Sequence, residues 1–214
     1  GGSLCLVCGF ELGMADCSPG VLGVSCCLPG VSGVKKEKKP FFIYLAHNLP
    51  HVPLFVSNEF TDRSRAGLYG DVIEEIDWSV GTILKTLREE NLADDTLVIF
   101  TSDNGGGSSN APLQGGKAKM WEGGLRVPMI ATGPGIPADT QCDTPVAQWD
   151  YLTTFHDLAG SAAPLPEDLD GVSLRPVLEQ GNAGQLDERD TGFVFHFPAF
   201  YTVPITAYRD GDYK

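Results

Sequence analysis

Two oxygen-bearing side chains, Asp103 and Asn104, stand side by side shortly after an apolar run at residues 96–101. Carboxylate and carboxamide oxygens are the ligands that hard divalent cations such as calcium take in proteins. The same dipeptide followed by glycine is also ordinary turn chemistry, because Asn and Asp tolerate turn conformations and bond to nearby backbone. Taken alone, the pair therefore predicts either part of a cation site or a turn.

Two further side chains could handle a proton or an anion. His51 lies in a proline-containing segment at residues 47–53, and an imidazole can donate a proton or a hydrogen bond near neutral pH. Lys117 follows two glycines, and an ammonium group can hold a tetrahedral anion as a point charge. The spacing is not that of a P-loop, which has Ser or Thr after the lysine. Each residue is equally typical of a solvent-exposed loop.

Hydrophobic patterning predicts the elements that position these residues. Residues 41–46 and 96–101 are short apolar runs rich in branched and aromatic side chains, which favours strands buried on both faces. Between them, apolar residues recur at three- and four-residue steps, which predicts an amphipathic helix over residues 71–92. Strand, helix and strand indicate a parallel α/β sheet. Because ligands gather at the carboxyl ends of parallel strands, we expect the polar residues after both strands to meet at one edge.

Weaker patterns predict the remaining elements. Residues 127–131 favour another strand, and helical spacing returns at residues 146–158. The last nine residues, 206–214, are typical of a hairpin cut through its second arm. No internal repeat is visible.

The beginning of the chain differs from the rest. Its first 34 residues show neither a helical nor a strand period, and the charged run at residues 35–39 predicts a boundary. Most of the 6 cysteines fall there, but Cys5-x-x-Cys8 has no second pair at zinc-like spacing. We therefore divide the chain into an unassigned Gly/Cys-rich leader, residues 1–39, and a folded part, residues 40–214.

Composition excludes some classes of function. A chain of 214 residues with 42% hydrophobic content is typical of a globular protein. The 28 acidic residues outnumber the 15 basic ones, giving a net charge of -13, and phosphate binding needs a basic surface. No stretch is long and apolar enough to span a bilayer. We therefore expect no nucleic-acid partner and no membrane span.

Three blocks, in this order, resemble the sulfatase family. Residues 41–53 match a strand that ends in P-H-x-P, and residues 96–105 match a strand that ends in S-D-N-G. Residues 116–135 match G-K-x-x-x-W-E-G-G-x-R-V-P followed by G-P-G. The resemblance covers about residues 36–214. Three blocks in the family's order are specific where any one of them would be weak.

The resemblance implies a fold and a site. The fold would be the alkaline-phosphatase-like α/β sandwich with a mostly parallel sheet, present here as a partial domain whose end is truncated. Asp103 and Asn104 would be ligands of one Ca²⁺ ion, and Lys117 would bind the sulfate. His51 would lie at the leaving-group oxygen. The substrate would be a small-molecule or carbohydrate sulfate ester, hydrolysed in a secreted, lysosomal or periplasmic setting.

The sequence also departs from the family's pattern. Lys119 is a rival for the lysine role, but the spacing of five residues before Glu122 favours Lys117. The family's earlier Asp-Asp pair is missing in working form, and so is the C/S-x-P-x-R motif whose Cys or Ser becomes the formylglycine nucleophile. Cys17 begins a similar segment, but Val21 stands where that motif has arginine, and we interpret it as chance.

The expected function is therefore that of a sulfuric ester hydrolase, inactive as this chain. One alternative is a metal-dependent phosphodiesterase or phosphoryl-transfer enzyme of the same fold. The single Asp-Asn pair and the block around Lys117 favour the sulfatase. The other alternative is a catalytically silent remnant, which the missing nucleophile supports.

Overall fold

The computed structural model describes residues 4–10, 40–107, 109–189, 192–197 and 204–214. They belong to two units: Gly1–Thr101 with Met129–Ile136, and Ser102–Pro128 with Pro137–Lys214. The Cys17 segment and the charged run at residues 35–39 lie outside the described residues.

A four-stranded sheet forms the base of the first unit. Its strands are β1 (Leu4–Phe10), β2 (Phe42–His47), β3 (Thr96–Thr101) and β4 (Met129–Thr132), in the spatial order β2-β1-β3-β4. β1 is parallel to both β2 and β3, and β4 pairs antiparallel with β3 at the edge. The predicted mostly parallel sheet is confirmed, with the three predicted strands close to their expected positions.

β1 is the strand of this sheet that the sequence did not predict. Its backbone lies between the two expected strands, so that Val7 pairs with Tyr44 on one side and with Ile99 on the other. The first 34 residues show no strand period, yet Leu4–Phe10 of the unassigned leader form a strand. A strand with parallel neighbours on both sides need not alternate apolar and polar residues, so a missing period is weak evidence against it.

One long helix, α1 (Gly67–Glu89), connects β2 to β3 and confirms the predicted amphipathic helix. Its Ile83 and Leu87 are buried with Leu45 of β2 and Val98 of β3. The helix starts four residues before the expected position, at Gly67, and ends three residues before it, at Glu89. Packing of the apolar face against the sheet stabilises the helix more than local propensity does.

The second unit contains short helices and one antiparallel strand pair. Its elements are α2 (Glu122–Leu125), α3 (Asp150–Leu158), α4 (Arg175–Gln180), β5 (Phe193–Phe197) and β6 (Ile205–Arg209). β6 pairs antiparallel with β5, which precedes it in the chain. Asp210 and Tyr213 close a turn directly after β6, and the expected hairpin of residues 206–214 stays a prediction.

Asp150 organises the packing of the second unit. Its side chain is fully buried and accepts the N–H groups of Ala147 at 2.7 Å and Val172 at 3.1 Å. The neighbouring Trp149 packs against Phe195, with 5.6 Å between ring centroids. The first residue of α3 thus holds the backbone just before the helix, and the backbone at Val172, by accepting their N–H groups. Among the helices of the described ranges, none has the length and apolarity needed to cross a membrane.

Candidate functional site

Asp103 and Asn104 follow β3 at the start of the second unit, in a segment without regular structure. The Asp103 side chain is exposed, and Asn104 is half-buried. Asn104 Nδ2 donates a hydrogen bond to Asp103 Oδ2, and Ser102 Oγ donates to Asp103 Oδ1 at 3.4 Å. Because the Asn104 amide bonds to the carboxylate through its nitrogen, its oxygen Oδ1 can serve as a cation ligand beside the Asp103 carboxylate oxygens.

Glycines after this pair allow two backbone segments to come very close together. The Gly105 N–H donates to the Gly124 carbonyl at 3.0 Å. A Cβ atom on Gly105 would lie 1.8 Å from the Gly123 carbonyl oxygen, which no real Cβ could do. A Cβ on Gly123 would lie 2.3 Å from the Gly115 oxygen. The close approach therefore requires residues without side chains.

Lys117 belongs to the same glycine-rich framework. Its backbone N–H donates to the Gly106 carbonyl at 3.0 Å, two residues after Asn104. The Lys117 side chain is exposed. Lys119 is exposed too, but its N–H donates to Gly116 within its own turn, at 3.0 Å. Of the two lysines, Lys117 is thus the one whose backbone is bonded to the segment that carries the Asp-Asn pair.

Asn110 is a residue at this site that the sequence did not single out. Its Oδ1 accepts the Gly106 N–H at 3.1 Å, and its Nδ2 donates to the Gly106 carbonyl at 2.9 Å. The same Nδ2 donates to the Gly115 carbonyl at 3.3 Å. All three partners are backbone groups of glycines, so no pattern of side chains in the sequence could have indicated them.

Glu122 connects this framework to the end of the chain. Its carboxylate accepts from Lys214 Nζ at 2.8 Å and from Arg209 Nη1 at 3.4 Å. The hydrogen bond from Lys214 lowers the pKa of Glu122, with smaller help from its charge and that of Arg209, against burial, which raises it. The segment that follows Lys117 is therefore tied to β6 and to Lys214 by charge-assisted hydrogen bonds.

His51 belongs to the first unit, unlike the three other predicted site residues. Its ring is exposed, and Nδ1 lies 2.8 Å from the Val52 carbonyl oxygen. Since a carbonyl oxygen can only accept, Nδ1 carries the proton in the neutral ring. Nε2 is then the nitrogen available for a further partner.

Helix α1 fixes the segment around His51. Leu49 is buried against Val72 and Ile76 of that helix. Glu75 is buried and accepts the Ser57 N–H at 3.0 Å. One more buried carboxylate, that of Asp71, accepts three backbone N–H groups at 3.0, 3.0 and 2.6 Å, from Asp62, Arg63 and Ser64. These carboxylates hold the loop by satisfying backbone donors that would otherwise lack partners.

Asp103 and Asn104 fit calcium in ligand type, but they supply only part of its coordination shell. Calcium takes about six to eight oxygen ligands. Across the ranges that the structure describes, no group of three or more His, Cys, Asp or Glu residues could hold a metal ion. The pair therefore fits one side of a calcium site.

Comparison with known proteins identifies the family of this chain. The sulfatase family model matches residues 28–161. Steryl-sulfatase from Homo sapiens is 43% identical over 178 residues, which cover 76% of this chain and 30% of the relative. N-acetylgalactosamine-6-sulfatase from Canis lupus familiaris is 38% identical over 186 residues, which cover 83% of this chain and 34% of the relative.

A solved structure agrees with this result. The PsFucS1 sulfatase from Pseudoalteromonas sp. matches with a TM-score of 0.72 and 26% identity, covering 81% of this chain and 36% of that chain. The chain thus spans about a third of the length of the proteins it matches. It belongs to the sulfatase family and carries part of the family's alkaline-phosphatase-like α/β fold.

Proposed function

We propose that this chain supplies the calcium-binding and sulfate-binding part of a site that hydrolyses a sulfate ester. The observation that supports this most is the backbone hydrogen bond of 3.0 Å from Lys117 to Gly106. It brings a cationic side chain and the Asp103-Asn104 pair onto one glycine-rich framework.

The three predicted site residues of the second unit have distinct roles in this proposal. Asp103 and Asn104 hold calcium through their side-chain oxygens, and the bound ion would neutralise charge on the sulfate oxygens. Lys117 places a positive charge next to the sulfate and binds it directly. Because Lys117 is exposed while its backbone is anchored, its side chain can reach an anion without carrying the loop with it.

His51 acts at the leaving-group oxygen in this proposal. In the protonated ring, Nδ1 keeps its hydrogen bond to the Val52 carbonyl, and Nε2 can donate a proton or a hydrogen bond to the departing alcohol or phenol oxygen. The burial of Leu49, two residues before His51, against Val72 and Ile76 supports this role, because a proton donor must be held in position.

The substrate class proposed is a sulfate ester of a small molecule or a carbohydrate. Among the relatives, one is named a steryl-sulfatase and another an N-acetylgalactosamine-6-sulfatase. The steryl and N-acetylgalactosamine groups in these names differ, and what the two names share is the sulfate ester. The residues proposed here all address the sulfate end or its leaving oxygen.

The chain by itself is proposed to be inactive. Its 214 residues contain no C/S-x-P-x-R motif, and without a nucleophile, binding groups cannot form the covalent intermediate. We expect no hydrolysis of 4-nitrophenyl sulfate above the buffer rate. Turnover in protein free of other sulfatases would contradict this and make Cys17 a candidate nucleophile.

Calorimetric titration with calcium and with inorganic sulfate tests the binding roles. Asp103→Ala should weaken calcium binding by at least about tenfold, since even partners outside the coordination shell can cost that much. Lys117→Ala should leave calcium affinity unchanged and weaken sulfate binding. Lys119→Ala is the matched control and should change neither. If Asp103→Ala bound calcium as the parent does, Asp103-Asn104-Gly105 would be only a turn and the proposal would be wrong.

A further inference from the structure

Asn110 makes an unusual set of contacts for a loop side chain. Its carboxamide uses both its oxygen and its nitrogen on the same residue, Gly106, at 3.1 and 2.9 Å. The nitrogen reaches a second segment as well, at the Gly115 carbonyl, 3.3 Å away. The Gly106 carbonyl in turn accepts from Lys117 at 3.0 Å. One amide thus joins the segment after the Asp-Asn pair to the segment before Lys117.

We propose that Asn110 is a positioning residue that sets the separation between the Asp103-Asn104 pair and Lys117. With that separation fixed, a single sulfate can contact the cation and the lysine at the same time. This inference rests on the proposed function, because the role of Asn110 depends on a cation bound at Asp103-Asn104 and a sulfate bound at Lys117. Asn110 itself touches neither the cation nor the sulfate.

The glycine-rich segment needs a side chain to fix its backbone conformation. Glycine has no side chain to restrict its backbone, so a glycine-rich segment has many conformations of similar energy. Here the segment from Gly105 to Gly107 must adopt one of them, and the Asn110 amide selects it by binding both polar groups of Gly106. A Cβ at Gly106 would lie 3.2 Å from Asn110 Oδ1, so the amide also fills the space beside that residue.

The test uses the coupling between two ligands, which a loss of general stability would not lower, because two ligands that bind only the folded chain strengthen each other's binding when that chain is less stable. We expect calcium to strengthen the binding of inorganic sulfate to the parent chain, because one anion contacts both groups. In Asn110→Ala this strengthening should fall to a factor of about one, while calcium affinity alone stays within about threefold. Unchanged coupling in Asn110→Ala would overturn the proposal.

Two further variants separate the possible causes. Asn110→Asp keeps the acceptor for the Gly106 N–H and loses both donated hydrogen bonds, so it should lose the coupling as Asn110→Ala does, and it serves if Asn110→Ala fails to fold. Asn182→Ala removes another side chain of the same unit that holds a distant backbone group, the Asp143 N–H at 2.7 Å. As the matched control it should keep the coupling, and its loss there would contradict the assignment to Asn110.

Amide hydrogen exchange makes the result independent of the proposed function. In Asn110→Ala the Lys117 amide should exchange about tenfold faster or more, while the Val172 amide held by Asp150 should not change. If calcium failed to strengthen sulfate binding in the parent, the proposed function would be wrong. The Lys117 amide would still show whether Asn110 positions that segment, and unchanged exchange there would refute it.

Discussion

Arg189 and Asp150 form a bidentate ion pair in the second unit, with Nη1 2.8 Å from Oδ1 and Nη2 2.7 Å from Oδ2. The Asp150 side chain has no exposed surface, and that of Arg189 is 14% exposed. The guanidinium also stacks over Phe193, 4.5 Å from the ring centroid. One buried carboxylate thereby links the start of α3 to the segment that leads into β5.

Replacement of Arg189 should be strongly destabilising. Arg189→Ala leaves the Asp150 carboxylate buried without its counter-charge, which typically costs about 3–5 kcal/mol of unfolding free energy. Urea unfolding followed by fluorescence measures the change. Arg175→Ala is the control, because Arg175 makes its ion pairs with Glu179 and Asp157 at the surface and should have little effect. Equal losses in both variants would contradict the assignment of a buried pair.

Replacement of Gly105 should disrupt the framework of the candidate site. A Cβ there would lie 1.8 Å from the Gly123 oxygen, so Gly105→Ala must displace backbone, at a cost of about 1–3 kcal/mol. Gly107→Ala adds the same methyl group two residues away, where nothing lies within 4 Å, and should change stability by less than about 0.5 kcal/mol. Urea unfolding of the two variants gives the comparison, and a Gly105→Ala protein as stable as Gly107→Ala would show that the segments are not packed this closely.

The Glu122 contacts should make part of the stability depend on pH. The folded pKa of this carboxyl is lowered, chiefly by the hydrogen bond from Lys214. Its contribution is therefore complete above the ordinary carboxyl pKa and is lost as the pH falls through the lowered folded value. The difference in unfolding free energy between the parent and Glu122→Gln should shrink toward zero over that range. Lys214→Ala should reproduce most of the loss at neutral pH, and a difference that grew in acid would contradict this sign.

His47 should titrate below the ordinary value of an imidazole. It ends β2, is 3% exposed, and burial lowers its pKa from 6.5 because the charged ring is poorly solvated there. Since the unfolded chain takes up this proton first, the contribution of neutral His47 to stability is complete above the ordinary pKa and declines as the pH falls toward the lowered folded value. An NMR titration of the ring protons checks this, and a midpoint at or above 6.5 would show that the ring is not buried.

Much of the sheet could be predicted from the sequence because its signals are local. The predicted strand at residues 96–101 has the same bounds in the structure. The strand predicted at residues 41–46 lies at Phe42–His47, and the one predicted at residues 127–131 lies at Met129–Thr132. Their ends differ from the prediction by one or two residues, which is the usual uncertainty of element ends. β1 could not be predicted in the same way, since what makes it a strand is pairing with residues far along the chain.

The candidate site was predictable only in part for a similar reason. Asp103 and Lys117 carry side-chain chemistry that a sequence displays directly. Asn110 acts on backbone groups of Gly106 and Gly115, and a sequence does not show which carbonyls an amide will reach. That Lys117 is bonded to Gly106 is likewise a property of the folded backbone.

The central place of β1 has a consequence for the order in which the chain can assemble during synthesis. β1 is made before both of its hydrogen-bonding partners, β2 and β3. β2 and β3 are not neighbours in the sheet, so pairing between them in the absence of β1 would give a non-native strand order. Until β3 has left the ribosome, β1 carries at least one open edge, and open strand edges recruit other chains. We expect the nascent protein to depend on chaperones during that interval.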